Sequence, residues 1–113
     1  EAVRLSDLLE RCGIEFCDFL KLDCEGAEYE IFAQMPVEVA RRIRRVAMEY
    51  HAHREVPKRE QAGRLIEHLL RLGFQIDHYT DVQDTPRGMI FACRTFVSRS
   101  TPAAATRPAI GWR

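Results

Sequence analysis

A chain of 113 residues is long enough for one small domain with a hydrophobic core. Its 17 basic and 17 acidic residues cancel, so no net charge draws it to nucleic acid or to a membrane surface. No apolar run approaches the roughly 20 residues of a membrane helix, and the start does not resemble a signal peptide. We therefore expect a cytoplasmic protein with no membrane span and no nucleic-acid partner. The four cysteines have neither zinc-type nor redox spacing, and we expect them to be reduced.

The first part of the chain predicts a short helix followed by a buried strand. Residues 5–13, LSDLLERCG, are typical of a helix with Ser6 as its N-cap and Gly13 in the left-handed turn after it. The apolar run FCDFLKLD, residues 16–23, predicts a strand that is covered on both faces.

A second helix and a second strand follow. EGAEYEIFAQM, residues 25–35, predicts a helix whose buried face carries Ala27, Ile31 and Met35. IRRVAMEYH, residues 43–51, alternates as a strand does.

The remaining chain predicts one helix and a closing hairpin. The leucine-rich stretch 61–74 is the clearest helix, and 74–80 and 89–97 are strands joined by a loop over 81–88. The stretch 98–113, rich in Ser, Thr, Pro and Ala, predicts a flexible tail. Helices that alternate with strands predict an α/β fold with a mainly parallel sheet, and the hairpin adds an antiparallel element at its edge.

Acidic residues at the ends of the first two strands mark the candidate site. Ligands of open α/β sheets bind beyond the carboxyl ends of the strands, where Asp23, Glu49 and His51 are expected. Gly26 allows a sharp turn and a close approach of backbone to ligand. We predict catalytic roles for Asp23, Glu25 and Glu49, as hydrogen-bond acceptors or a general base.

Lys21, Gly26 and His51 complete the candidate site as substrate-binding residues. Some of these acidic and basic residues have a purely structural explanation. Acids at a helix start, such as Glu25 and Glu28, are favourable without any function. Lys21 could simply pair with a neighbouring acid.

Neither the histidines nor the arginines assign a further site. His51 and His53 have the spacing of two metal ligands but lack a nearby third-ligand pattern, so a solvated strand end is favoured and we predict no metal. The arginines between positions 41 and 54 favour a solvated helix face over a phosphate-binding patch.

Four segments together resemble the C-terminal half of FkbM-type methyltransferases. They are DFLKLDCEGAEYEIF, RRIRRVAMEYH, LLRLGFQI and GMIFACR, and the resemblance runs from about Leu5 to Arg94. The family carries a K-[IL]-D-x-E-G-x-E motif, and the matching residues are Lys21, Leu22, Asp23, Glu25, Gly26 and Glu28.

The resemblance implies a Rossmann-like, S-adenosylmethionine-dependent methyltransferase that acts on a hydroxyl group of a small molecule, sugar or glycan. The strands of this chain would be the fourth to seventh of a seven-stranded sheet. Asp23 would lie close to the meeting point of methyl donor and acceptor, where a carboxylate can orient or deprotonate the acceptor hydroxyl.

The chain departs from the family in lacking the Gly-rich loop that normally holds the methyl donor. We therefore interpret residues 1–97 as the C-terminal part of a methyltransferase domain whose donor-binding half is absent, and expect it to be inactive alone. The first residue, Glu1, also indicates a fragment. Without its upstream neighbour, the segment 18–22 becomes an exposed sheet edge, which predicts self-association.

Two alternatives stay open. A non-catalytic α/β interaction domain, or a truncated relic, would bind a protein partner through the exposed edge or the arginine-rich face. A different nucleotide-binding enzyme is disfavoured because neither common type of phosphate loop is present.

Overall fold

Helices and strands alternate along residues 2–95, the part of the chain that this computed structural model describes. The predicted tail over 98–113 and the last residues of the final predicted strand lie outside the described residues. The elements are α1 (Leu5–Arg11), β1 (Leu20–Asp23), α2 (Glu28–Gln34), α3 (Val37–Ala40), β2 (Arg45–His51), α4 (Lys58–Arg71), β3 (Gln75–Asp81) and β4 (Arg87–Cys93).

The four described strands form one mixed sheet in the order β1-β2-β4-β3. β1 and β2 are parallel, whereas β4 is antiparallel to both of its neighbours, β2 and β3. The α/β class and the closing hairpin are thus confirmed. The prediction of a mainly parallel sheet is confirmed in part: β1, β2 and β3 run in the same direction, but only one of the three neighbouring pairs is parallel.

The sequence predicted an antiparallel element at the edge of the sheet. The antiparallel strand, β4, lies inside the sheet instead. α4 connects β2 to β3, and these two strands are not neighbours in the sheet. The hairpin after β3 places β4 between them. Both edges of β4 are therefore hydrogen-bonded, and its residues Gly88, Ile90 and Ala92 are buried.

The core lies between one face of the sheet and the helices. Val46, Met48 and Tyr50 alternate into it from β2, as predicted, and join the buried residues of α2, α3 and α4 in a single cluster. On the opposite face of β4 every side chain is half-buried or exposed.

β1 is shorter and more exposed than predicted, since only Leu22 of its four residues is buried. It is the last strand of the described sheet and has one neighbour, β2. Phe16 and Phe19, just before it, are 61% and 50% exposed. The prediction of a strand covered on both faces is therefore wrong for this chain.

α2 buries a face that overlaps the predicted one at Met35 and differs from it at Ala27 and Ile31. Glu28, Phe32 and Met35 point inward, whereas Ala27 is exposed and Ile31 is only half-buried. The cause is the start of the helix: the chain turns at Gly26, with φ 110°, and the first helical residue is Glu28. Spacing of i, i+4 and i+7 then places Glu28 on the same face as the large apolar side chains.

The ends of α1 and α4 show which local signals the sequence carried correctly. Gly13 and Gly73 both have positive φ, as expected, and close their helices by bonding back to the last turn. Ser6 is not the N-cap of α1: the cap position is Arg4, two residues earlier, and it makes no side-chain cap hydrogen bond. Among residues 2–95, no helix combines the length and apolar character needed to cross a membrane.

Candidate functional site

Three polar side chains meet where β1 and β2 end. The parallel register places Asp23, the last residue of β1, beside Glu49 of β2. His51 follows two residues later and so projects from the same face of its strand as Glu49. The structure thus brings together three of the residues that the sequence nominated from the strand ends.

The three side chains face one another without hydrogen bonds between them. His51 Nε2 lies 3.7 Å from Asp23 Oδ1 and 3.9 Å from Glu49 Oε1. One ligand-type atom from each residue lies within 4.8 Å of the others. The side chains are 51%, 26% and 21% exposed for Asp23, Glu49 and His51, so a solvent-borne ligand can reach the group.

A buried carboxylate holds His51 from the other side. Glu28 is 0% exposed, and its Oε1 lies 2.8 Å from His51 Nδ1. Its second oxygen, Oε2, accepts a hydrogen bond from the Gly26 N–H at 2.7 Å. Because Glu28 Oε1 accepts, Nδ1 is the donor, and in the neutral imidazole the lone pair of Nε2 then faces Asp23 and Glu49.

Tyr29 fixes the backbone of the same corner. Its hydroxyl donates to the His51 carbonyl oxygen at 3.1 Å, and its ring lies 5.9 Å from that of His53. Burial, and after it the nearby charge of Glu28, raises the pKa of Tyr29 to about 12. The phenol therefore stays protonated at neutral pH and serves as a fixed donor.

One cation borders the cluster. Arg87, at the start of β4, lies opposite His51 in the sheet register, and its Nη1 is 3.5 Å from Glu49 Oε1. Both groups are at the surface, so this ion pair contributes little to stability. Its effect is local: it partly balances the negative charge of the strand ends.

The other nominated residues are not among the three whose side chains meet. Glu25 is exposed and in the left-handed region, with φ 50°, so it forms part of the turn. Lys21 is exposed on β1. Gly26 is required by its φ of 110°, and its N–H is already bonded to Glu28, which favours a turn-forming role over a ligand contact.

Sequence reasoning assigned no site role to Glu28 or Arg87. Glu28 was interpreted as a helix-start acid, and the signal for its burial was its spacing from Phe32 and Met35, four and seven residues later. Arg87 carried no comparable signal, because its position depends on β4 lying beside β2.

A shallow groove of about 440 Å³ opens near the end of β2. It is lined by residues 52–58 of the loop after β2, together with Thr85 and Pro86 of the hairpin loop. Its first lining residue, Ala52, directly follows His51 in the chain, and the three residues of the cluster do not line it.

Comparison with known proteins identifies the family. The methyltransferase FkbM domain matches residues 1–76, which is 76 of the 113 residues and includes Asp23, Glu28, Glu49 and His51. Arg87 lies outside the match. No curated protein and no solved structure matched the chain. The chain belongs to the FkbM methyltransferase domain family.

Proposed function

We propose that this chain is part of an S-adenosylmethionine-dependent methyltransferase that methylates a hydroxyl group of a small molecule or sugar. Family membership supports the reaction class. The observation that carries the proposal is the convergence of Asp23, Glu49 and His51 at the carboxyl ends of two parallel strands. That edge is where open α/β sheets bind their ligands.

The described residues do not fit the methyl donor. A donor site in this family needs a Gly-rich loop, whereas the turn after β1 contains a single glycine whose N–H is bonded to Glu28. The proposal therefore assigns the donor to a segment outside this chain and gives this chain the acceptor side. It follows that the 113-residue chain alone transfers no methyl group.

On the acceptor side, the carboxylates of Asp23 and Glu49 can accept a hydrogen bond from the substrate hydroxyl. Asp23 is the more exposed of the two, and no lysine or arginine among residues 2–95 forms an ion pair with it as Arg87 does with Glu49, so it is the better candidate to orient the hydroxyl or take its proton. Methyl transfer is an in-line displacement, and holding the reacting oxygen in line accounts for much of the rate.

The groove supplies a place for the rest of the acceptor. Its wall includes Val56, Pro57 and Pro86, which can cover the apolar parts of a small molecule or the face of a sugar ring. Both loops that form it follow strand ends, where variation changes substrate choice without disturbing the sheet.

The test is methyl transfer from labelled donor by the longer protein that contains this chain, assayed against a panel of sugar and small-molecule alcohols. Asp23→Asn keeps the size of the side chain but removes its charge, and we expect a loss of about 10²-fold in turnover. Glu25→Gln is the matched control, since it removes an acid two residues away that lies outside the cluster, and it should keep near-normal turnover. Full turnover by Asp23→Asn would contradict the proposed role.

A second candidate function, a non-catalytic interaction domain, is favoured by one observation. β1 ends the described sheet, and the exposed rings of Phe16 and Phe19 lie just before it. An edge of this kind can add a strand from another chain. Normal partner binding by a protein that transfers no methyl group would support this function.

A further inference from the structure

We propose that Asp23, Glu49 and His51 bind a divalent cation of the Mn²⁺ type at the ends of β1 and β2. The inference rests on the proposed function, because the cation would take the acceptor hydroxyl as a further ligand at the same site. The sequence motif did not indicate such a site, since its two-histidine pattern paired His51 with His53. In the structure His53 is not part of the group, and two carboxylates complete it instead.

The spacing of the three residues suits a shared ion. A divalent cation lies about 2.1 Å from oxygen or nitrogen ligands, which places neighbouring ligands about 3 to 4 Å apart. The Nε2 atom of His51 is 3.7 Å and 3.9 Å from the two carboxylate oxygens. Only small rotations of two partly exposed acidic side chains are needed to close the set around one ion.

The histidine is held as metal-ligating histidines are. Such a histidine usually donates its other ring N–H to a carboxylate, which fixes the tautomer and makes the free nitrogen a better ligand. Glu28 occupies that position at 2.8 Å from Nδ1, and it is fully buried and anchored by the Gly26 N–H. This support is separate from the two ligand carboxylates and comes from α2.

The distances within the group are too long for hydrogen bonds and leave room for an ion. A protonated ring would place Nε2–H toward the carboxylates, but 3.7 Å and 3.9 Å exceed the length of an N–H···O hydrogen bond. Without a proton, His51 Nε2 and Asp23 Oδ1 face each other with no donor between them, and within residues 2–95 Glu49 Oε1 has only the Arg87 guanidinium, at 3.5 Å. A cation satisfies all three at once.

The ligand chemistry selects the class of ion. Carboxylates suit Mg²⁺ and Mn²⁺, whereas imidazole favours transition metals, and Mn²⁺ accepts both. Arg87 is a competing charge, because its guanidinium lies 3.5 Å from Glu49 Oε1. Its side chain is 56% exposed, so it can turn toward solvent when the ion binds.

The experiment is an EPR titration of free Mn²⁺ with the 113-residue chain, using far-UV circular dichroism to check that each variant folds. We expect one site in the unchanged chain and at least about tenfold weaker binding in Asp23→Asn and in Glu49→Gln. Glu25→Gln removes the same charge nearby and should bind within about twofold of the unchanged chain. Glu28→Gln should weaken binding about 10- to 100-fold.

The controls separate a built site from general attraction to acids. If Glu25→Gln weakens binding as much as Asp23→Asn, or if only one of the two ligand variants loses affinity, the three-residue site is wrong. Absence of binding at millimolar protein overturns it as well. If Glu28→Gln fails to fold, the Mn²⁺ affinities of Asp23→Asn and Glu49→Gln decide whether the site exists.

The titration does not depend on turnover, so the two proposals can fail separately. Methyl transfer that depends on Asp23 in a protein without Mn²⁺ binding would remove the ion and leave the methyltransferase. Mn²⁺ binding in a protein that transfers no methyl group would leave the cation site and remove the proposed methyltransferase function.

Discussion

Glu28 is the residue on which the site depends most. A carboxylate with no exposed surface is costly unless its oxygens are bonded, and here both are occupied, by the Gly26 N–H and His51 Nδ1. The same contacts connect the turn after β1 to the end of β2. A single side chain therefore couples a local bend to the orientation of His51.

Replacing Glu28 by alanine should lower the free energy of unfolding by about 2–4 kcal/mol, because it leaves two partly buried donors without acceptors and opens a gap in the core. Urea unfolding followed by circular dichroism measures the change. Glu30→Ala on the same helix removes an exposed acid and should stay within about 0.5 kcal/mol. Equal losses in the two variants would show that Glu28 has no special structural role.

The sequence predicted part of this residue pattern. Asp23, Glu49 and His51 could be placed together because strand ends meet at one edge of a parallel pair. The spacing of Glu28 from Phe32 and Met35 indicates that the three share a helix face, but not that this face is buried, since burial depends on how α2 packs in the fold.

At the scale of elements, α4 connects the core to the sheet. Leu65 and Leu69 are fully buried in the cluster that includes β2 and β4, whereas Leu70 is 54% exposed. The leucine-rich pattern predicted this helix and its glycine end correctly. It could not predict that β4 would lie between β2 and β3, because strand order depends on contacts distant in sequence.

Leu69→Ala should lower the free energy of unfolding by about 2–5 kcal/mol, since it removes a fully buried side chain and leaves a cavity. Leu70→Ala is the matched control at the next position of the same helix and should cost less than about 1 kcal/mol. Thermal or urea unfolding of both variants gives the comparison. A larger loss at Leu70 would mean that α4 presents a different face to the core.

For the molecule as a whole, the main feature is a sheet with one buried face and an edge at β1. Core side chains come from one side of β2 and β4, and the other side of β4 is half-buried or exposed. Two exposed phenylalanines precede β1. These surfaces are the ones that further protein would cover, either more of the same domain or a second chain.

We expect the isolated chain to self-associate through the β1 edge, because a strand edge beside apolar side chains can pair with another copy. Sedimentation velocity over a range of concentrations tests this. Phe19→Lys places a charge at the edge and should shift the chain toward monomer, whereas Leu8→Lys, at an exposed position of α1, should not. A monodisperse monomer at the highest concentration would contradict the expectation.

The contact between Glu28 and His51 underlies both the acceptor site and the cation site, and NMR can observe it directly. Long-range ¹H–¹⁵N spectra of the chain at about pH 8, with His51 assigned from a His51→Asn variant, report which ring nitrogen carries the proton. The structure predicts the proton on Nδ1, toward Glu28, and loss of that preference in Glu28→Gln. A proton on Nε2, or a signal unchanged by Glu28→Gln, would show that Glu28 does not orient His51 and would contradict the account of the site.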